Sequence, residues 1–118
     1  MEQELFRLLA GPRTRRVEVR GEVWTLKVVT ALALLEARRE AEGLAREGAE
    51  RALCSNACLL ARALVGDGER RFPSGRAVLE ALTPGEIQQL AEQLGRLNRE
   101  GNLSPEAGEQ EIERLKKA

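Results

Sequence analysis

The sequence predicts an α+β fold, mainly α, in which a small domain of about four to five helices packs on one N-terminal β-hairpin. Alternating apolar and polar residues between Arg15 and Val28 predict the hairpin. Apolar residues at helical spacing follow from Ala31 onward. A fully specified helix start at Thr83 then predicts a long amphipathic helix.

One domain is expected over residues 1–118, because a chain of this length with 42% apolar residues can bury its own core. Its predicted parts are an N-terminal arm at 1–13, a β-hairpin at 14–29, a helical core at 30–100 and a mobile C-terminal helix at 101–118.

The N-terminal arm holds a short apolar patch that Gly11-Pro12 ends. Its residues are Leu5, Phe6, Leu8 and Leu9. The pattern is compatible with one or two helical turns. The patch docks either on the core of the domain or on a partner, and the sequence leaves both possibilities open.

The hairpin is predicted to turn at Gly21-Glu22, where Gly at the first turn position suits the positive φ of a tight turn. One face is then apolar and consists of Val17, Val19, Trp24, Leu26 and Val28. The other face carries charged residues and Thr25, and is expected to face water. Since an isolated hairpin is marginally stable, the apolar face should lie on helices. Trp24 is interpreted as a core anchor, with a partner hot spot as the alternative.

Two helices should follow the hairpin. Thr30 caps the first, whose apolar stripe is Leu34, Ala37, Ala41, Leu44 and Ala45. A kink or break is expected near Gly48. The second runs from Glu50 to Val65 with a narrow stripe of Leu53, Ala57, Leu60 and Leu64.

A polar loop from Gly66 to Gly75 and a short helix capped by Ser74 precede the long amphipathic helix. In that helix Thr83 is the N-cap and Glu86 completes a capping box. Leu82 and Ile87 form a hydrophobic staple, and the buried stripe is Ile87, Leu90, Ala91, Leu94 and Leu97. The helix should end at Gly101-Asn102. A last helix begins at Ser104-Pro105, with Ile112 and Leu115 as its large apolar residues.

Composition argues against an enzyme. The chain has no His, so Ser–His and Cys–His nucleophile pairs are excluded. The 18 Glu are read as helix-favouring surface residues. Cys54 and Cys58 have the spacing of half a zinc site, but no His or third Cys completes it, so two buried thiols are expected. We predict no catalytic, cofactor-binding or metal site and no small-molecule substrate.

The net charge of zero predicts no general attraction to nucleic acid or to anionic membranes. An arginine cluster beside the first strand could contact phosphate, but a solvated strand face is the favoured interpretation. The cluster is Arg13, Arg15, Arg16 and Arg20. No apolar run is long enough for a membrane span, and the acidic residues precede the N-terminal apolar patch, unlike in a signal peptide. A cytoplasmic location is expected.

The order of elements resembles the tail assembly chaperones of long-tailed bacteriophages and prophages. Two stretches carry the resemblance, "RRVEVRGEVWTLKVVTALALLEARREAE" and "ALVGDGERRFPSGRAVLEALTPGEIQQLAEQLGRLN". The resemblance implies no catalysis. It implies a protein of the bacterial host cytoplasm that binds the long helical tape-measure protein and keeps it soluble during tail assembly. The chain departs from many members in its Arg-rich, Asp-poor composition and its lack of Tyr.

Many family members are also made in a frameshifted longer form, and the sequence leaves open whether this chain has one. Lys116-Lys117 could be encoded by an A-rich slippery run. An ordinary basic helix end is the favoured interpretation of this pair.

The partner-binding residues are predicted to be apolar side chains left over from the core, because helix-in-groove binding uses such stripes. They are Leu5, Phe6, Leu8, Leu9, Phe72, Ile112 and Leu115. Self-association through these patches, and hence a homo-oligomer, is also expected. The alternative functions are a small nucleic-acid-binding regulatory protein that uses the arginine cluster and a structural subunit of the phage tail or head completion.

Overall fold

A four-stranded antiparallel sheet and four α-helices form the part of the chain, residues 13–101, that the computed structural model describes. The strands are β1 (Thr14–Val19), β2 (Glu22–Lys27), β3 (Leu64–Gly66) and β4 (Glu69–Arg70), and they lie side by side in that order. The helices are α1 (Ala31–Leu44), α2 (Arg51–Ala63), α3 (Gly75–Ala81) and α4 (Pro84–Gly101). A 3₁₀ turn, Gly48–Glu50, precedes α2. The predicted α+β class is confirmed.

The first hairpin has the predicted faces but a different turn. Val17 pairs with Trp24 and Val19 with Glu22, so the turn residues are Arg20 and Gly21 rather than Gly21 and Glu22. Both have positive φ, 52° and 83°, as a two-residue turn matched to the strand twist requires. The predicted turn was wrong by one residue, because Gly21 fills the second of two positive-φ positions and a non-glycine residue fills the first.

A second hairpin, which the sequence analysis did not predict, completes the sheet. The chain turns at Asp67-Gly68, again with positive φ at both residues, 53° and 84°. β3 pairs with β2 through Leu64 opposite Leu26 and Val65 opposite Thr25. The helix predicted to reach Val65 therefore ends at Ala63, and part of the predicted loop is strand. Pairing with β2 outweighs the helical pattern at Leu64, which is fully buried.

Helix α2 lies at the centre of the fold, with α1, α3 and α4 packed around it. Small buried side chains on several sides of α2 let its neighbours approach closely. They include Cys54, Ala57, Cys58, Ala61 and Ala63, none more than 6% exposed. The predicted break near Gly48 is confirmed, since α1 ends at Leu44 and α-helix resumes at Arg51. The stripe of α1 also faces inward as predicted, with Ala37 and Ala41 buried.

All three predicted helix caps are present. The Ala33 N–H donates to Thr30 Oγ1 at 3.1 Å, and the Ala77 N–H donates to Ser74 Oγ at 3.2 Å. In the capping box of α4 the Thr83 N–H donates to Glu86 Oε1 at 2.9 Å, and the Glu86 N–H donates to Thr83 Oγ1 at 3.2 Å. Each bond satisfies an N–H that the first helical turn leaves without a partner.

Helix α4 lies under the first hairpin and contacts both β1 and β2. Four of the five residues of its predicted stripe are buried, since Ile87, Leu90, Leu94 and Leu97 are at most 3% exposed. The fifth, Ala91, is only half-buried. Two ion pairs join the ends of the helix to the ends of β1. Arg20, which directly follows β1, pairs with Glu86 at 2.6 Å, and Arg15 of β1 pairs with Glu100 at 3.2 Å. Helix α4 therefore runs antiparallel to β1. Among the described helices, none combines the length and apolar character that crossing a membrane requires.

Candidate protein-binding surfaces

The outer face of α1 presents two large apolar side chains to solvent. Leu32 is 64% exposed and Leu35 is 49% exposed. Their spacing of three places them on one face of the helix, opposite the buried Ala37 and Ala41. Leu32 and Leu35 remain exposed beside the other residues of 13–101, and they form an apolar surface that we call the α1 outer face.

The α1 outer face lies at the end of the molecule where the described chain begins and ends. The Val28 N–H donates to the Arg13 carbonyl at 2.9 Å, beside the start of α1. The Val29 N–H donates to Asn98 Oδ1 at 3.3 Å, so the last turns of α4 lie beside the same connection. The first described residue, the end of α4 and the start of α1 are thus neighbours, and we call this region the terminal end.

Six of the predicted partner-binding residues fall outside the described part of the chain. They are Leu5, Phe6, Leu8, Leu9, Ile112 and Leu115. The segments that contain them connect to the described fold at Arg13 and Gly101, and therefore at the terminal end. Their role in binding stays a prediction.

Phe72 lies at the opposite end of the first hairpin, near its turn. Its ring makes an edge-to-face contact with Trp24, with centroids 5.7 Å apart and planes at 77°. The Arg71 guanidinium lies 5.3 Å from the Trp24 centroid, and the Trp24 indole N–H donates to Glu22 Oε2 at 3.0 Å. Trp24 is only 9% exposed, which confirms the core-anchor interpretation. Phe72 is half-buried against this core, so only part of its surface is free for a partner.

A shallow groove of about 290 Å³ remains beside Trp24 and Phe72. Apolar and charged side chains line it together: Val19, Arg20, Glu22, Trp24, Arg71, Phe72, Ala81 and Leu82. The charges are already engaged within the protein, since Arg71 pairs with Glu22 at 3.1 Å and Arg20 with Glu86. The groove therefore offers a ligand little unpaired charge.

The two cysteines lie in a buried cluster that joins three helices. Glu40 of α1 accepts from Arg62 Nη1 at 2.7 Å and from the Gly75 N–H at 2.7 Å. Burial acts to raise the pKa of Glu40, but these two donors outweigh it and hold the pKa below its ordinary value. Burial, reinforced by the Glu40 charge, raises the pKa of Cys58 to about 12. The Cys58 thiol is thus protonated at neutral pH and is a poor nucleophile.

Cys54 is buried as well, and both cysteines are free, which confirms the two buried thiols expected from the sequence. Between residues 13 and 101 no three His, Cys, Asp or Glu side chains are grouped closely enough to hold a metal ion. The contacts of the cluster are structural: one carboxylate connects α1 to Arg62 of α2 and to the first residue of α3.

Two of the four residues of the arginine cluster form ion pairs with α4. Arg15 and Arg20 are bound to α4, and the ion pair with Arg20, helped by the Thr83 N–H, lowers the pKa of Glu86 to about 2. Arg13 and Arg16 are exposed and have no ion-pair partner among the described residues. The positive charge available to a phosphate is therefore smaller than the sequence suggests.

Sequence reasoning missed Leu32 and Leu35 as surface residues because it followed only the inward stripe of α1. A helical wheel of α1 would have found them, since both fall opposite that stripe. Leu32 and Leu35 are two of the three large apolar side chains that are exposed among residues 13–101, and the third is Val23 of β2. Comparison with known proteins found no matching family model, no matching curated protein and no matching solved structure.

Proposed function

We propose that this chain is a non-enzymatic tail assembly chaperone that binds the tape-measure protein of a long-tailed phage or prophage and keeps it soluble during tail assembly. The α1 outer face is the observation that carries the proposal, since Leu32 and Leu35 remain 64% and 49% exposed after folding. An amphipathic helix of a client would cover these side chains with its own apolar stripe.

Energetic considerations favour weak, repeated binding. Covering the remaining exposed surface of two leucines contributes about 2–4 kcal/mol, which alone corresponds to a dissociation constant near or above about 1 mM. A transient chaperone must release its client, so weak single contacts suit this role. Several copies along one extended helical client would then supply strength through avidity.

The location of the α1 outer face supports the same role. It lies at the terminal end, where the segments with Leu5, Phe6, Leu8 and Leu9 and with Ile112 and Leu115 connect to the fold. Apolar side chains from three parts of the chain could therefore contribute to one client-binding region. Phe72, at the other end of the hairpin, would contribute separately.

Co-expression with the tape-measure protein that the proposal assigns as its client tests the proposal. We expect the wild-type chain to increase the soluble yield of the client and to co-purify with it. The double variant Leu32→Ser/Leu35→Ser should lose most of both effects while its fold is retained, because exposed substitutions change stability by only about 0.5 kcal/mol.

Val23→Ser is the matched control. Val23 is 66% exposed on β2, away from the terminal end, so the same kind of substitution there should leave client binding unchanged. Unchanged client solubility and no co-purification would contradict the proposal. Salt-dependent retention on DNA or RNA would instead favour a nucleic-acid-binding regulator, and recovery in purified particles would favour a structural subunit.

A further inference from the structure

Within residues 13–101, strand β1 lies at an edge of the sheet, and one row of its backbone groups is turned away from β2. Among the described strands it pairs only with β2. In a two-residue hairpin the pair next to the turn exchanges both hydrogen bonds, and every second pair does the same. Val19, Val17 and Arg15 are then the residues bonded to β2, and the bond from the Val28 N–H to the Arg13 carbonyl continues the same series. The backbone groups of Thr14, Arg16 and Glu18 consequently face outward.

Two of the three side chains on this outward row are charged, and the third is Thr14. Arg16 and Glu18 are both exposed, and neither has an ion-pair partner among the residues that the structure describes. They are two positions apart, so both project from the solvent face of the sheet. Edge strands often carry charges that discourage pairing with arbitrary strands.

The charges of β1 complement themselves in one antiparallel register. With a two-fold axis through Val17, Arg16 of each copy lies opposite Glu18 of the other, and the outward backbone groups of these residues face each other. The two pairs would form about four hydrogen bonds and two cross-strand ion pairs. The neighbouring registers that keep these backbone bonds place Arg16 opposite Arg16, or Glu18 opposite Glu18, and are therefore repulsive.

Helix α4, which lies beneath β1, is compatible with the same two-fold axis. Glu86, Gln93 and Glu100 recur every seven residues, so they share one side of α4, and the ion pairs to Arg20 and Arg15 place that side along β1. Gln93 lies midway between the two glutamates, level with the middle of β1. In a symmetric pair this uncharged amide, rather than a charge, would face its own copy.

The spacing also allows two α4 helices to meet. Helix α4 contacts both β1 and β2, so its axis lies between them. With strands about 4.8 Å apart, two such helices related by the axis would be about 10 Å apart, which is within the range of packed helices. Pairing of the strands would therefore bring the helices into contact rather than into collision.

We propose that β1 is a homodimer interface, at which two copies of this chain join antiparallel β1 strands about Val17 into one eight-stranded sheet. Charge complementarity commits the edge to a second copy in one register. The interface uses neither Leu32 nor Leu35, so it does not depend on the proposed chaperone function.

Charge reversal in the full 118-residue chain tests the interface. Sedimentation equilibrium should show a wild-type dimer. Arg16→Glu and Glu18→Arg alone each replace two attractive pairs by two like-charged pairs, and each should weaken dimerisation about tenfold or more. The double variant Arg16→Glu/Glu18→Arg restores opposite charges in the same register and should recover the wild-type dissociation constant.

Lys27→Glu is the matched control, because it reverses an exposed charge on β2, away from the edge, and should leave dimerisation unchanged. Circular dichroism would verify that every variant is folded. A wild-type chain that stays monomeric up to about 1 mM overturns the proposal. Unchanged dimerisation of the two single variants would also overturn it. The same holds if the double variant does not recover the wild-type dissociation constant.

Discussion

Gly75, the first residue of α3, lies directly against Cys58 of α2. A Cβ at this position would lie 2.4 Å from Cys58 Sγ and 2.9 Å from Cys58 Cα, closer than real Cβ atoms come to a neighbour. Gly75 is buried, and its N–H is held by Glu40. The absence of a side chain at Gly75 therefore allows α3 to begin directly against α2.

Gly75→Ala should lower the free energy of unfolding by about 1–3 kcal/mol, because α3 must shift away from α2 to make room for the methyl group. Denaturant unfolding of both proteins measures the difference. Adding Cys58→Ala should recover part of the loss, since it removes Sγ but leaves the backbone contact. A variant as stable as the wild type would mean that α3 can move at little cost.

The cluster around Glu40 shows which residue-level features the sequence could not predict. Burial of Cys54 and Cys58 followed from their helical context. The link from Glu40 to Arg62 and to the Gly75 N–H did not, because these residues are far apart in the sequence and one of eighteen similar glutamates makes the contact. Only the packing of α1, α2 and α3 selects Glu40 from the others.

At the scale of elements, the Arg20–Glu86 ion pair fastens the turn of the first hairpin to the start of α4. Arg20 donates from Nε and Nη2 to the two carboxylate oxygens of Glu86 at 2.9 and 2.6 Å. The bond from Arg20 lowers the pKa of Glu86 from its ordinary 4.5 to about 2. A lowered folded-state pKa means that the ionised carboxylate favours the fold above about pH 4.5 and that this contribution is lost as the pH falls towards 2.

Glu86→Gln should therefore destabilise the protein most at neutral pH and progressively less below pH 4.5. The amide can still accept from the Thr83 N–H, so the substitution isolates the charge from the helix cap. Unfolding midpoints measured between pH 2 and pH 7 give the difference between the two proteins. A difference that is constant over this range would contradict the role of the ion pair.

The second hairpin depends on Gly68, which has a φ of 84°. Gly68→Ala should cost about 1 kcal/mol, because a side chain disfavours this left-handed conformation. Gly43→Ala is the comparison, since Gly43 is a helical residue with open space around it and the substitution should raise stability by about 0.5–1 kcal/mol. The midpoint of thermal unfolding should fall for Gly68→Ala and rise for Gly43→Ala. A change in the same direction for both variants would contradict the requirement for glycine at position 68.

Some helices and strands could be predicted from neighbouring residues, whereas others depend on contacts between distant parts of the chain. The caps at Thr30, Ser74 and Thr83 depend on neighbouring residues and were predicted correctly. Asp67-Gly68 is also a local hairpin signal that the sequence contains. The pairing of β3 with β2 is different, because the end of α2 at Ala63 depends on Leu64 meeting Leu26, a contact between distant parts of the chain.

At the scale of the whole molecule, the two proposed interaction surfaces use different elements. The α1 outer face is formed by Leu32 and Leu35, whereas the proposed dimer edge is formed by Arg16 and Glu18 of β1. The apolar stripe of α1 correctly predicted which side of the helix faces the core. A helical wheel of the same sequence places Leu32 and Leu35 on the opposite, exposed side. The edge position of β1 could not be read from sequence, since it depends on β3 pairing with β2 rather than with β1.

If both proposals hold, the surfaces should be separable by mutation. Leu32→Ser/Leu35→Ser should remain dimeric and lose client binding. Arg16→Glu should be largely monomeric and bind a single client helix as tightly as the wild type, because its α1 outer face is intact.

On a long client with several sites, however, the monomer loses the second contact of each dimer, and its apparent affinity should fall about a hundredfold. Isothermal titration with a one-helix peptide and with a multi-helix client fragment measures the two cases. Equal affinity of dimer and monomer for the long fragment would show that dimerisation contributes nothing to client binding, while loss of binding to the short peptide would place β1 itself in the client site.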